Sequence, residues 1–193
     1  MKNKILIING HPLKASFNFA IVKAYEKGAK TNNVEIRHLV IAELNFNQSF
    51  EGFGKQAKLE PDIAKAQELI SWSDHIVWIY PTWWATMPAM MKSFIEHTFL
   101  PGFAFKYKKS KKILKWDKYL EGKSTSLIST MDSPPWYYKL FVGDPGYKTM
   151  KNIMNFCGIK PVSRTYFGSV KVSSEEQRTK WLLKAEQLGK NLK

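Results

Sequence analysis

The stretch 74–99 constrains this chain more than any other. Residues 76–80 are apolar at every position and rich in β-forming types, which predicts a strand covered on both faces. Pro81 lacks a backbone donor and ends that strand. Met87, Met91, Phe94, Ile95 and Thr98 then recur at helical spacing, with Pro88 at a first-turn position where its missing N–H costs little. The loop between them, 81–86, therefore sits at the carboxyl end of a central strand, the edge at which open α/β sheets bind ligands. The adjacent Trp83 and Trp84 cannot both point into one core, so at least one forms a flat wall against something planar.

The same alternation runs through the chain. The apolar run 5–8 reads as a central parallel strand, followed by a small-polar loop from Asn9 to Asn18 and a helix with Ile21, Ala24, Tyr25 and Gly28 on one face. Ser16 is an N-cap candidate there, and the start of that helix offers free N–H groups and a positive dipole end to a phosphate. The loop is neither GxGxxG nor a Walker loop, which argues against a Rossmann dinucleotide site and a P-loop nucleotidase. Residues 34–39 read as a second strand, and 40–59, carrying Phe46, Phe50 and Phe53, as a long loop packing over the body. Pro61 and Asp62 open a helix with Ile63, Ala66, Leu69 and Ile70 inward.

After the opening stretch, residues 100–123 interrupt the pattern and read as a basic surface excursion. A fourth strand over 124–130 leads into a second aromatic loop, 131–138. The next helix carries Tyr147, Met150, Met154 and Cys157 and ends at Gly158. A fifth strand covers 161–167, and Ser173 with Glu176 forms a capping box for a last helix with Trp181, Ala185 and Leu188 inward. Trp72, Trp78 and Trp181 fit core positions, Cys157 behaves as a small hydrophobe, and His75 and His97 read as structural or surface residues.

Five strands alternating with helices specify a parallel sheet with helices on both faces, an α/β three-layer sandwich in one domain over 1–193, and the order expected for it is the doubly wound 2-1-3-4-5. That order gathers the loops after strands one, three and four at one edge. The first supplies donors and a helix terminus, the other two supply flat aromatic walls. A ligand with a phosphate tail and a planar head satisfies all three, and flavin mononucleotide is such a ligand.

Charge and cysteine content narrow the setting. The formal net charge is +14, with lysines spread along the chain and one dense cluster over 106–118, yet no standard nucleic-acid motif occurs. The charge instead favours anionic small ligands. The single cysteine excludes an intrachain disulfide and fits a reducing cytosol, and the N-terminal apolar run of 5–8 is too short for a signal peptide or membrane span.

Three motifs resemble the flavodoxin-like NAD(P)H:quinone oxidoreductases, including the bacterial general-stress and modulator-of-drug-activity flavoproteins. They are Gly10-His11-Pro12 with Ser16-Phe17-Asn18, Tyr80-Pro81-Thr82-Trp83-Trp84 with Met87-Pro88-Ala89, and Phe156-Cys157-Gly158. The resemblance covers nearly the whole chain. It implies that His11, Ser16, Phe17 and Asn18 contact the flavin phosphate and ribityl chain, and that Pro81, Thr82, Trp83 and Trp84 contact the isoalloxazine. It favours FMN over FAD, with NAD(P)H as donor, and implies a homodimer with the site at the interface. The fourth-strand loop departs from the best-known members, which carry Thr-Thr-Gly-Gly and then a Tyr and a His. Here Thr130, Met131 and Asp132 stand beside the flavin, no histidine follows, and Tyr137 and Tyr138 are the candidate catalytic hydroxyls.

The implied reaction is a hydride passed from the nicotinamide to the flavin, followed by two electrons to a quinone or similar acceptor in a ping-pong cycle. Two other classes are a flavodoxin-type electron carrier and a flavin-binding regulatory subunit of a membrane transporter. A carrier would present an acidic surface, which this basic chain does not.

Overall fold

The computed structural model describes residues 3–13, 15–52, 59–109 and 115–193. Lys14, Phe53 and the centre of the lysine cluster, 110–114, lie outside the described residues. In chain order the elements are β1 (Asn3–Asn9), α1 (Phe17–Ala29), β2 (Val34–Val40), α2 (Pro61–Trp72), β3 (His75–Pro81), α3 (Ala89–Thr98), β4 (Phe105–Tyr107), β5 (Trp116–Lys118), β6 (Ser124–Thr130), α4 (Pro135–Leu140), α5 (Pro145–Cys157), β7 (Lys160–Phe167) and α6 (Glu175–Lys190).

The central sheet runs β2-β1-β3-β6-β7 with every pair parallel, which is the expected 2-1-3-4-5 order. Asn9 pairs with Ile79 and Pro81 with Thr130, so β1, β3 and β6 end near one level. β3 is buried along its whole length, as its unbroken apolar run requires.

Side chains alternate across the sheet into two cores. Leu6, Ile8, Ile76, Trp78 and Tyr80 pack with Ile63, Met91, Phe94, Met150 and Met154 on one face. Ile5, Ile7, Val77 and Ile79 pack with Ile21, Tyr25, Ala185 and Phe167 on the other. Each such fully buried large side chain contributes about 1.5–3 kcal/mol relative to exposure. On the second face α1 and α6 touch backbone to backbone. A Cβ on Gly28 would lie 1.8 Å from the Glu186 carbonyl oxygen, and one on Gly189 would lie 2.0 Å from that of Tyr25, so only glycine fits at either place.

Several local expectations are corrected. The 100–123 excursion is more than surface: β4 and β5 pair antiparallel, Ala104, Phe105 and Leu120 are buried, and Trp116 stacks on Phe156 at 4.6 Å. The second half of the expected loop 131–138 is helical and opens α4, because Pro135 at the first helical position is a start signal. Pro88 takes the N-cap of α3 rather than its first turn. The cap of α6 is Ser174, whose hydroxyl accepts the Gln177 N–H at 3.2 Å, one residue past Ser173. Trp72 is half-buried at the end of α2 under the Arg37 guanidinium, 4.1 Å from the ring centre, instead of in a core. The long loop does pack over the body, with Phe46 edge-on to Phe94 and to His97.

Candidate functional site

The level ends of β1, β3 and β6 leave a cavity of about 300 Å³ open to solvent. Its walls are His11, Ser16, Phe17 and Asn18 from the first loop, Pro81, Thr82 and Trp83 from the second, and Thr130, Met131 and Asp132 from the third. Leu13, Ala15 and Val170 complete it, and of these Val170 belongs to the loop after β7, which the sequence did not single out.

Hydrogen bonds tie the loops together. The Thr82 N–H donates to the Thr130 carbonyl at 2.7 Å, and the Thr82 and Ser129 hydroxyls meet at 2.6 Å. Thr130 Oγ1 donates to Asn18 Oδ1 at 2.8 Å, joining the third loop to the first turn of α1. The Met131 N–H reaches the Phe167 carbonyl at 2.9 Å, and Asp132 Oδ1 accepts the Lys171 N–H at 3.0 Å, so the β7 loop closes the far side.

The donor end is where α1 begins. Ser16 stands at the N-cap with extended backbone, yet its hydroxyl makes no capping bond. Ser16 Oγ and Asn18 Nδ2 are buried and have no hydrogen-bond partner among the described residues. A buried donor without a partner costs about 1–3 kcal/mol. Here both lie beside the positive end of a helix dipole, where the Phe19 N–H turns back to the Ser16 carbonyl at 3.0 Å and the first two amides of the helix have no acceptor within it. Such a cluster can bind an anion such as phosphate. His11 stands next to it: Leu13 N–H donates to His11 Nδ1 at 2.9 Å, leaving the ring proton on Nε2, while burial holds its pKa below the usual histidine value.

The aromatic end is Trp83, whose ring lies edge-on to His11 at 5.7 Å. Trp83 opens a tight turn: its N–H donates to the Thr86 carbonyl at 2.8 Å, and the Thr86 N–H returns to the Trp83 carbonyl at 3.1 Å. Trp84 and Ala85 at the tip have φ of 49° and 66°, a left-handed pair that is unusual without glycine.

Ten of the thirteen residues singled out from the sequence thus line one cavity, and three do not. Trp84 is fully exposed at the turn tip. Tyr137 lies on α4, half-exposed and stacked on Phe141 at 5.4 Å. Tyr138 is buried outside the cavity, and its hydroxyl is spent on the Ala85 carbonyl and the Gly146 N–H. The expected pair of catalytic tyrosines is therefore not assembled at the cavity wall, because α4 turns successive side chains about 100° apart. Cys157 is buried in the first core, and burial pushes its thiol up to about 12, which leaves it a hydrophobe.

Among the described residues no cluster of histidine, cysteine and carboxylate groups could hold a metal ion, and no helix is long and apolar enough to cross a membrane.

Comparison with known proteins agrees with this architecture. A family model described as flavodoxin-like fold matches residues 3–189. The chain is 28% identical over 180 residues to an uncharacterized NAD(P)H oxidoreductase of Haemophilus influenzae, covering 90% of this chain and 87% of that one. It is 25% identical over 184 residues to the NAD(P)H dehydrogenase (quinone) 1 of rat, covering 81% of this chain and 65% of the rat protein's length. A crystal structure of a Streptococcus mutans protein superposes with a TM-score of 0.81 at 33% identity, covering 97% of this chain and 99% of that one. An FMN-dependent NADH-azoreductase of Bacillus anthracis, solved with FMN, shares the fold at a TM-score of 0.75 and 17% identity, over 98% of this chain and 99% of that one.

Proposed function

The chain belongs to the flavodoxin-like fold family, and from that membership we propose that it is a flavin-dependent NAD(P)H oxidoreductase that reduces a quinone or a similar planar acceptor. FMN is the favoured cofactor. One observation carries the reading: Ser16 and Asn18, whose side-chain donors are buried without partners at the start of α1, line the same cavity as Trp83. That is the arrangement a phosphate tail and a planar head require. The names of the relatives support the donor and the acceptor class, since they include an NAD(P)H oxidoreductase, an NAD(P)H dehydrogenase (quinone) and an FMN-dependent NADH-azoreductase.

The bound flavin would supply the chemistry, taking a hydride from the nicotinamide and delivering two electrons to the acceptor. The residues of this chain bind and orient it. Ser16, Asn18 and the first-turn amides of α1 hold the phosphate, and His11 offers Nε2–H beside them. Pro81, Thr82 and Trp83 line the planar head. Thr130 and Met131 would close the third side, where the Asp132 carboxylate would oppose negative charge on a bound flavin.

The cavity is at the small end for a nucleotide-sized ligand. Trp84, Trp136, Leu140 and Phe141 expose apolar surface on the neighbouring turn and α4. A second copy of the chain seated there buries that surface and completes the acceptor side, so the working unit is a homodimer, in which Trp84 and Tyr137 remain candidates for touching the acceptor. On this reading residues 3–189 act as one flavin-binding domain, and a cytosolic setting would keep the one cysteine reduced.

The test is release of the cofactor from purified protein, identified by mass and absorbance. FMN is the expected result; a protein that neither carries nor takes up flavin would sink the proposal. Initial rates against NADH or NADPH and a small quinone should give parallel double-reciprocal lines, as a single alternately occupied pocket requires. Intersecting lines would replace the ping-pong cycle with a ternary complex, and absence of turnover would favour the electron carrier.

A further inference from the structure

The turn that presents Trp83 is held in an unfavourable backbone conformation, and what holds it lies on α4, 53 residues further along the chain from Ala85. Trp84 and Ala85 both occupy left-handed backbone, with φ of 49° and 66°, where a side chain crowds the backbone carbonyl. Only the two bonds between Trp83 and Thr86 close the turn from within. From outside, Tyr138 Oη donates to the Ala85 carbonyl at 2.7 Å and accepts the Gly146 N–H at 2.8 Å. The hydroxyl therefore bridges the tip of the turn to the first turn of α5.

Tyr138 itself cannot swing away. It is 2% exposed, and Tyr166 lies edge-on to its ring at 5.6 Å. Its backbone carbonyl accepts the Asp144 N–H at 3.2 Å, and the buried Asp144 carboxylate is in turn held by Arg164 and Tyr166. Position 146 is shaped around the hydroxyl. A Cβ there would stand 2.6 Å from Tyr138 Oη but 3.3 Å from the Ala85 carbonyl oxygen, so the phenol oxygen is the main obstacle to a side chain.

We infer that Tyr138 is a positioning residue: its hydroxyl pins the 82–87 turn and so keeps Trp83 in place as the planar wall of the flavin cavity. The functional half of this inference rests on the flavin reading above. Tyr138 is thus removed from the reacting atoms and acts on the ligand through Ala85 and Trp83.

Full-length Tyr138→Phe, Gly146→Ala and the double variant are compared with the parent in two ways. Hydrogen exchange of the 82–87 amides, measured without flavin, reads the pin. Titration with FMN, followed by visible absorbance, and steady-state rates with a small quinone read the wall. Each single variant should speed exchange at Thr86 at least tenfold, weaken FMN about five- to twentyfold and shift the visible band of the bound flavin. Acceptor KM should rise more than kcat falls. The double variant should be no worse than Tyr138→Phe, because the methyl group added at position 146 no longer meets a hydroxyl; if Gly146→Ala fails to fold, adding Tyr138→Phe should restore folding. Parental exchange in Tyr138→Phe, faster exchange with FMN affinity and spectrum unchanged, or additive damage in the double variant would overturn the inference. A parent that binds no FMN would sink the flavin reading and the wall with it, while exchange still reports the pin.

Discussion

The two ends of the cavity are built on opposite principles. At the start of α1, Ser16 Oγ and Asn18 Nδ2 are buried without partners among the described residues, so the protein carries a polar deficit there. At the turn 82–87 the polar atoms are spent on one another and on Tyr138, and what faces the cavity is the Trp83 ring. A deficit of acceptors selects an anion, while a satisfied turn under an aromatic ring selects by shape and stacking. On the flavin reading the pocket would therefore recognise the two halves of its ligand by independent means, and the halves can be perturbed one at a time.

The largest test breaks the donor end. Asn18→Asp keeps an acceptor for the Thr130 hydroxyl but sets a carboxylate against the phosphate; FMN affinity should fall at least a hundredfold, about 3 kcal/mol, while riboflavin binding hardly changes. Equal losses for both ligands in a fluorescence-quenching titration would erase the distinction between the ends.

A slightly smaller effect should leave both ends alone. His75 sits at the opposite edge of the sheet, with Nδ1 2.7 Å from the Ser124 hydroxyl, and burial pushes its pKa down to about 4. A histidine whose folded pKa lies below its unfolded value of about 6.5 stabilises the fold above that value, and the contribution is lost as pH falls from there toward 4. Stability should drop by about 2–3 kcal/mol across that window, and His75→Gln should flatten the slope of Tm against pH. An unchanged slope would assign the acid sensitivity elsewhere.

Next in size, Trp83→Ala should weaken FMN and riboflavin alike by about 1–2 kcal/mol, since stacking does not see the phosphate. A loss confined to FMN would contradict the division. The smallest effect is at the tip: Ala85→Gly relieves left-handed strain but loosens the unfolded chain, so a net gain of about 0.5 kcal/mol, or 1–2 °C in Tm by calorimetry, is expected.

How far the sequence could be read follows the same physics. The strands that order the sheet were legible because β1 and β3 are buried on both faces and so read as unbroken apolar runs. The cavity was legible because its walls are loops adjoining those strands: His11, Ser16 to Asn18, Pro81 to Trp83 and Thr130 to Asp132 all reach it. What failed is what tertiary contacts decide. β4 and β5 are three residues each, too short to show a period. The two serines 173 and 174 both satisfy a capping pattern, with Glu176 and Gln177 respectively, and only the observed bond separates them. Tyr137 and Tyr138 look equivalent in sequence, yet one is half-exposed and the other pins a distant turn, because adjacent helical residues face different surroundings.

The glycine contact between α1 and α6 has a consequence for how the protein is made. Gly28 and Gly189 bring the first helix against the last with no side chain between them, so the second core cannot close until the C-terminal helix arrives. On a nascent chain, the helix that opens the donor end waits for α6 to be made. Ligand binding should therefore be acquired only after the sheet order is already set.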